Sequence, residues 1–392
     1  MLVVTSNWAL GDGTLVPVAA AWHGMLSAAI HRAVLRAGVR GDGSYRPIDR
    51  LDLVLAGDTF DWLSSSEWQT ELKPWHGTAA AREAAARVAR RSIQSARRLL
   101  GPVIHWARQG LPVPAATRGR PGRVQVNIPV RVTLLAGDRD AAVDDYVGRR
   151  HDRQPVTVGS RWDDGRVTVR HGHDLDPACR PAGGRLPLRD RQPTLAESVA
   201  VDLVGRFAVS AKPVVARAWR LVRILAAVGP LGIPAVMAAW MASHAAGGDD
   251  AGVADIWRRC VDAWWHEARR SVPTCEVEFD AVDAIAGWFA AACAREIAVP
   301  VGLDRLRPQP PRGSPGLVLG HLSRPWADSS VVCLGPNPEA GEPHVPQLIA
   351  CLEAEGWPRW QSILPDDQRA AVVAIRAEEP LAERGSRIVD AA

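Results

Sequence analysis

Lysine is nearly missing from this 392-residue chain: among 47 basic residues only Lys73 and Lys212 are lysines, and the rest are arginine. With abundant alanine, this reflects GC-rich coding rather than a function. A net charge of +4 is small for the length; it permits anionic partners without requiring nucleic acid. Zinc-finger, helix-turn-helix and RNA-recognition signatures are missing too, so nucleic acid is not indicated. The six cysteines (179, 260, 275, 293, 333, 351) form no C-x-x-C pair, which argues against a zinc ribbon and gives no disulfide framework. Most lie in or near apolar stretches, which suits buried free thiols in a reducing compartment. Met1-Leu2-Val3-Val4 reads as a first β-strand without a basic leader, so the expected location is cytoplasmic.

What is present is a recurring design: an apolar strand that ends in a polar head. Leu51 to Leu63 (LDLVLAGDTFDWL) puts Asp58 at the end of such a run, with Asp61 close behind. Leu134-Leu135-Ala136-Gly137-Asp138 repeats it and continues into Arg139 and Asp140. Val167-Thr168-Val169-Arg170 ends in His171-Gly172-His173-Asp174, Leu317-Val318-Leu319 ends in Gly320-His321, and Leu2-Val3-Val4-Thr5 ends in Ser6-Asn7. Carboxylates and imidazoles at the carboxyl ends of buried strands stand where open α/β sheets place their ligands.

In order, GDTFDW, GDRD, HGHD and GHLSRP resemble the motifs of the calcineurin-like metallophosphoesterases, nearest to the UDP-2,3-diacylglucosamine pyrophosphohydrolase branch. The resemblance covers roughly residues 1–180 and 315–345. It implies an α/β fold, a calcineurin-like sandwich of two β-sheets flanked by helices. It also implies a two-metal centre, from which this chain departs. Where the family has D-x-H the sequence reads Asn7-Trp8-Ala9, and the last histidine of G-H-x-H is Ser323. One half of the centre therefore keeps Asp58, with Asn7 as a weakened ligand. The other half keeps Asp58, His171 and His321, with Asp138 in place of asparagine. Two carboxylates and two imidazoles suit one divalent ion such as Mn, Zn or Fe. Arg139 and Asp140 are the candidate catalytic side chains. Arg139 suits bidentate phosphate binding and equally a surface salt bridge; Asp140, like Asp61, suits a supporting or capping place rather than a ligand's. Asn7 or Asp12 moving in to rescue the depleted half is also left open.

The length allows one large domain with an insertion, or two domains. A metallophosphoesterase-like domain is expected over 1–190 and 305–392, with a helical insertion over 191–304. Helices are predicted over 16–40, 78–107 and 346–355, and either a strand or a helix over 370–377. A loop is predicted over 112–122 and one strand over 124–132. A hairpin is predicted between 155–159 and 166–171. Residues 224–248 carry no Asp, Glu, Lys or Arg, but Gly229-Pro230 and Ile233-Pro234 interrupt them. Two short buried helices are expected there, with a lipid-facing cap and a membrane span as alternatives. The tryptophans 219, 240, 257, 264 and 265 would then be core or interfacial anchors.

Function is open between two readings. The first is a divergent phosphoesterase or pyrophosphohydrolase acting on a phosphorylated small molecule or lipid-linked substrate through at most one metal. The second is an inactive relative that binds a protein partner through the insert. Peripheral membrane contact remains a further expectation.

Overall fold

The computed structural model describes residues 1–16, 23–148, 156–180, 192–212, 218–244, 250–271, 279–294, 300, 303, 317–321, 326–327, 331–333, 348–354 and 357–362. They form an α/β structure built on two mixed sheets. In the larger sheet β1 (Leu2–Thr5), β2 (Leu51–Ala56), β5 (Val130–Leu135) and β6 (Val156–Gly159) run parallel side by side. β12 (Leu348–Ala354) is antiparallel to β1, and β13 (Trp357–Ser362) forms the edge. In the smaller sheet β8 (Thr168–Arg170) and β9 (Leu317–Leu319) are parallel. β7 (Arg161–Asp163) flanks β8, while β11 (Val331–Cys333) and then β10 (Trp326–Ala327) flank β9.

Side-chain alternation, with its period of two, explains the layering. Leu2 and Val4 of β1, Val54 and Ala56 of β2 and Leu135 of β5 point to one side, where they meet Val169 and Val318 of the smaller sheet. Val3, Leu53, Leu55, Val132 and Leu134 point to the other side. There they pack on α1 (His23–Ala37), α2 (Ala79–Ser95) and α3 (Arg97–Gln109) through Ile30, Val34, Ala84, Val88, Leu99, Val103 and Trp106. β2 is buried along its whole length, as its continuous apolar run requires. Each large side chain so buried stabilises the fold by about 1.5–3 kcal/mol.

Several expectations are corrected. The described part of the first helix runs from His23 to Ala37 and ends before Arg40, while 17–22 lie outside the described residues. The long helix over 78–107 is two helices meeting at Ala96. Thr78 caps the first, its hydroxyl accepting from Ala81 N at 3.2 Å. The loop over 112–122 is a hairpin of β3 (Leu111–Thr117) and β4 (Arg120–Ile128). Its two-residue turn, Arg118-Gly119, has positive φ at both positions, 51° and 71°, the signature of a turn that follows strand twist. The strand over 124–132 divides at Pro129, so β4 stays in the hairpin and β5 enters the sheet. β6 does not pair with β8 but extends the larger sheet; β7 is the true hairpin partner, through a turn in which Asp164 accepts from Arg166 N and Val167 N. The helix over 346–355 is strand β12, because a free edge of β1 offers it backbone partners that override helical preference. Residues 370–377 lie outside the described residues, as do most of the Pro-rich stretches 180–193 and 305–316.

Residues 195–303 gather their own apolar cluster. α4 (Leu195–Ser198) continues through a widened π-helical stretch, Val199–Gly205, into α5 (Arg206–Ala211). A capping box between Thr194 and Glu197 starts it. α6 (Ala218–Ala227) and α7 (Ile233–His244) are separated by a short turn, Pro230–Gly232. α8 (Asp250–Ser271) and α9 (Phe279–Ala291) complete the unit. Trp257 and Trp264 are its fully buried centre; their indole N–H groups donate to Phe289 O at 2.8 Å and Ser198 Oγ at 2.9 Å. Trp240 is buried also, whereas Trp219 is 43% exposed and is no core anchor. Val201 reaches into the sheet-and-helix core, and Lys73 pairs with Asp202 at 2.7 Å, so the helices are tied to the sheet layer. Among the described residues no helix is long and apolar enough to cross a membrane.

Candidate metal centre

The carboxyl ends of β1, β2, β5, β8 and β9 converge on one point. Backbone bonds fix them there: Asn7 N donates to Gly57 O at 3.1 Å, and His321 N to His171 O at 2.8 Å. Two glycines make the convergence possible. A Cβ on Gly57, whose φ is +92°, would lie 2.3 Å from the His171 ring, and one on Gly137 would lie 2.1 Å from Asp58 Oδ1. Asp58 itself has φ +49°, a left-handed backbone unusual outside glycine, and it turns the carboxylate inward.

Asp58, Asp138, His171 and His321 present one ligand atom each, all within 4.8 Å of one another. His171 Nε2 is 3.4 Å from Asp58 Oδ2, and His321 Nδ1 is 3.1 Å from Asp138 Oδ1. The edges of a tetrahedral ion with bonds of about 2.0–2.1 Å measure about 3.3 Å, so these spacings suit one. His171 Nε2 and Asp138 Oδ1 are buried, and polar neighbours of each are other members of the cluster, Asp58 Oδ2 at 3.4 Å and His321 Nδ1 at 3.1 Å. Buried carboxylates and imidazoles that face one centre are costly when satisfied only by one another, and a cation supplies a shared partner. The four residues thus fit a divalent ion, a cluster that strand ends alone point to in the sequence.

Electrostatics agree. Burial, and then the charge of Asp138, raise Asp58 to about 7. For Asp138 burial works the other way but is outweighed by His321 and His171, and its carboxylate stays well below the usual range. Burial and the neighbouring His321 lower His171 to about 3, which leaves one ring-nitrogen lone pair available. His321 is raised well above the ordinary histidine value: burial opposes its charge, but Cys179, Asp138 and Asp176 surround the ring. His173, lowered to about 4 by burial and His171, places Nδ1 at 3.1 Å from His171 Nδ1 and stays outside the ligand cluster.

The other expected residues fall in different places. Arg139 is no surface salt bridge: its guanidinium is largely buried, meets Asp61 Oδ2 at 3.1 Å and lies 3.9 Å from Asp58 Oδ2. Its backbone N–H donates to Asp58 Oδ1 at 3.0 Å. Asp140 is fully buried and spends both oxygens on backbone, accepting from Gly137 N at 2.7 Å and Phe60 N at 3.1 Å. That corrects its proposed catalytic place: it braces the two Gly-Asp loops against each other. Asn7 directs its amide nitrogen at Ser6 Oγ and Gly320 O rather than offering an oxygen there. Asp12 is remote from the cluster, held by Thr14, Ser65 and Arg91. Ala9 carries no donor, and Ser323 lies outside the described residues.

The cluster opens to a cavity of about 40 Å³. Asn7, Asp58, Asp138, Arg139 and His321 form its polar side; Val199, Val204, Leu225, Val228 and Pro230 of the helical unit form the apolar roof. Sequence reasoning missed Asp176 and Cys179, which also line it. Their D-x-x-C spacing, just after the histidine pair, was the available signal. Comparison with family models, with curated proteins and with solved structures finds no match.

Proposed function

We propose that this chain is a divergent calcineurin-like phosphoesterase, of two-sheet sandwich type, that hydrolyses a phosphoester or pyrophosphate with one catalytic divalent ion. The observation that carries it is the four-residue cluster of carboxylates and imidazoles whose ligand atoms face one centre. Asp58, Asp138, His171 and His321 would hold the ion, and two carboxylates balance its charge. When bound, such an ion supplies Lewis acidity toward a phosphoryl oxygen. The chain's own groups do the rest. Arg139, oriented by Asp61, offers a guanidinium to the phosphate at the place where the family's other cation is depleted. Asp140 and the Gly57 and Gly137 turns hold the carboxylates in place. The apolar side chains of the helical unit face the cluster across the cavity, which is the side on which an apolar group attached to the phosphate would lie; a lipid-linked or otherwise apolar phosphorylated substrate is the class to try first.

The test is metal content per chain, by mass spectrometry on protein purified without chelator, beside hydrolysis of an aryl phosphodiester with added Mn²⁺. Loss in Asp58→Asn of turnover together with one equivalent of metal supports the reading. Metal without turnover on a broad phosphoester panel leaves a binding protein. That second reading is favoured by the missing donors at Ala9 and Asn7.

A further inference from the structure

His321 faces two clusters, one through each ring nitrogen. Nδ1 looks toward Asp138, while Nε2 lies 3.0 Å from Asp176 Oδ2 and 3.4 Å from Cys179 Sγ. Asp176 and Cys179 stand on a single turn of 3₁₀ helix, Pro177–Cys179, with Asp176 as its N-cap. Residues three apart eclipse in such a helix, so the carboxylate and the thiol share one face. The other Asp176 oxygen accepts from Ala178 N at 2.9 Å, which fixes the carboxylate toward His321. Asp176 and Cys179 are both buried, and the three ligand atoms lie within 4.8 Å of one another.

We propose that Asp176, Cys179 and His321 form a second divalent-cation site of thiolate character, separate in its ligands from the Asp58–Asp138–His171 cluster and joined to it by the His321 ring. The spacing suits a zinc-like ion. With bonds of about 2.0–2.1 Å to nitrogen or oxygen and 2.3 Å to sulfur, tetrahedral edges come to about 3.3 Å for N···O and 3.5 Å for N···S. The observed separations need a shift of a few tenths of an ångström. One carboxylate and one thiolate neutralise a divalent charge, and soft sulfur selects zinc or cobalt over magnesium or calcium. On loading, Cys179 gives its thiol proton to solvent. Where both sites fill, the His321 ring also releases its N–H proton and bridges as imidazolate. Three protein ligands leave a fourth position open to the cavity that both clusters line. The site rests on the functional reading above only in sharing His321.

Cobalt(II) added to the full-length, metal-stripped chain distinguishes the two sites. The wild-type chain is expected to take two equivalents, one of which gives thiolate-to-cobalt charge-transfer absorption in the near ultraviolet. Cys179→Ser and, separately, Asp176→Asn are each expected to bind one equivalent, with the near-ultraviolet band lost for Cys179→Ser. Asp58→Asn is expected to keep the band. Cobalt loading of the wild-type chain without the band, or a band that survives Cys179→Ser, overturns the proposal. Unchanged stoichiometry in Asp58→Asn would instead overturn the first site, so the two failures are separable.

Discussion

Acidity is the sharpest probe of the first cluster. The empty site holds protons where the filled site cannot. Burial and Asp138 raise Asp58 to about 7, so near neutral pH its carboxyl is half protonated. An ion must displace that proton, and affinity then falls about tenfold for each pH unit below 7. Between pH 8 and pH 6 the Asp58 contribution alone weakens the apparent Kd by about tenfold. His321, raised well above its ordinary value, adds a second proton to be displaced and steepens the loss. Asp138 and His171 add nothing in this window, since one is already ionised and the other already neutral. Calorimetric titration with Zn²⁺ or Mn²⁺ in two buffers of different ionisation enthalpy reads both affinity and protons released. At pH 6 more than one proton per ion is expected. Replacing Asp138 by Asn removes the charge that helps to raise Asp58, and so moves the window to lower pH while weakening binding overall. An affinity flat from pH 6 to pH 8, with no proton release, refutes the assignment of Asp58 and His321 as ligands.

Three further outcomes follow from the geometry. Gly137→Ala drives a methyl into Asp58 Oδ1, so ion affinity falls at least tenfold while the fold loses about 1–3 kcal/mol, read by metal titration and chemical denaturation. Asp140→Ala leaves two buried backbone N–H groups without acceptors, costing about 2–6 kcal/mol and loosening both Gly-Asp loops; an unchanged denaturation midpoint would remove its bracing role. In the helical unit, Trp257→Ala empties a fully buried site and is expected to destabilise by about 3–5 kcal/mol, seen as a lower midpoint for the helical signal.

Much of the site was readable because its residues sit at the ends of apolar runs. β1, β2, β5, β8 and β9 all form where apolar residues run continuously or alternate, and four of the heads they carry, Asp58, Asp138, His171 and His321, do meet. Strand existence follows from local burial pattern, which is written in consecutive residues. Pairing is not. β12 carries a helix-compatible sequence, and only the vacant edge of β1 makes it a strand. β4 and β5 read as one alternating run, yet Pro129 sends them to different sheets.

The roles of single polar groups were decided later still. Asp140 and Asp138 are two residues apart and chemically alike, but one is drawn to backbone N–H groups and the other to two imidazoles. Arg139 reads equally as a phosphate binder and as a surface salt bridge until Asp61 and Asp58 are found beside its buried guanidinium. Asp176 and Cys179 acquire meaning only because His321, distant in sequence, turns its second nitrogen toward them. By itself the sequence determined which strands exist and which polar heads end them, since these depend on near neighbours. The tertiary structure alone decided which heads share a centre, because ligand spacing of a few ångströms is set by the register and packing of strands far apart in the chain.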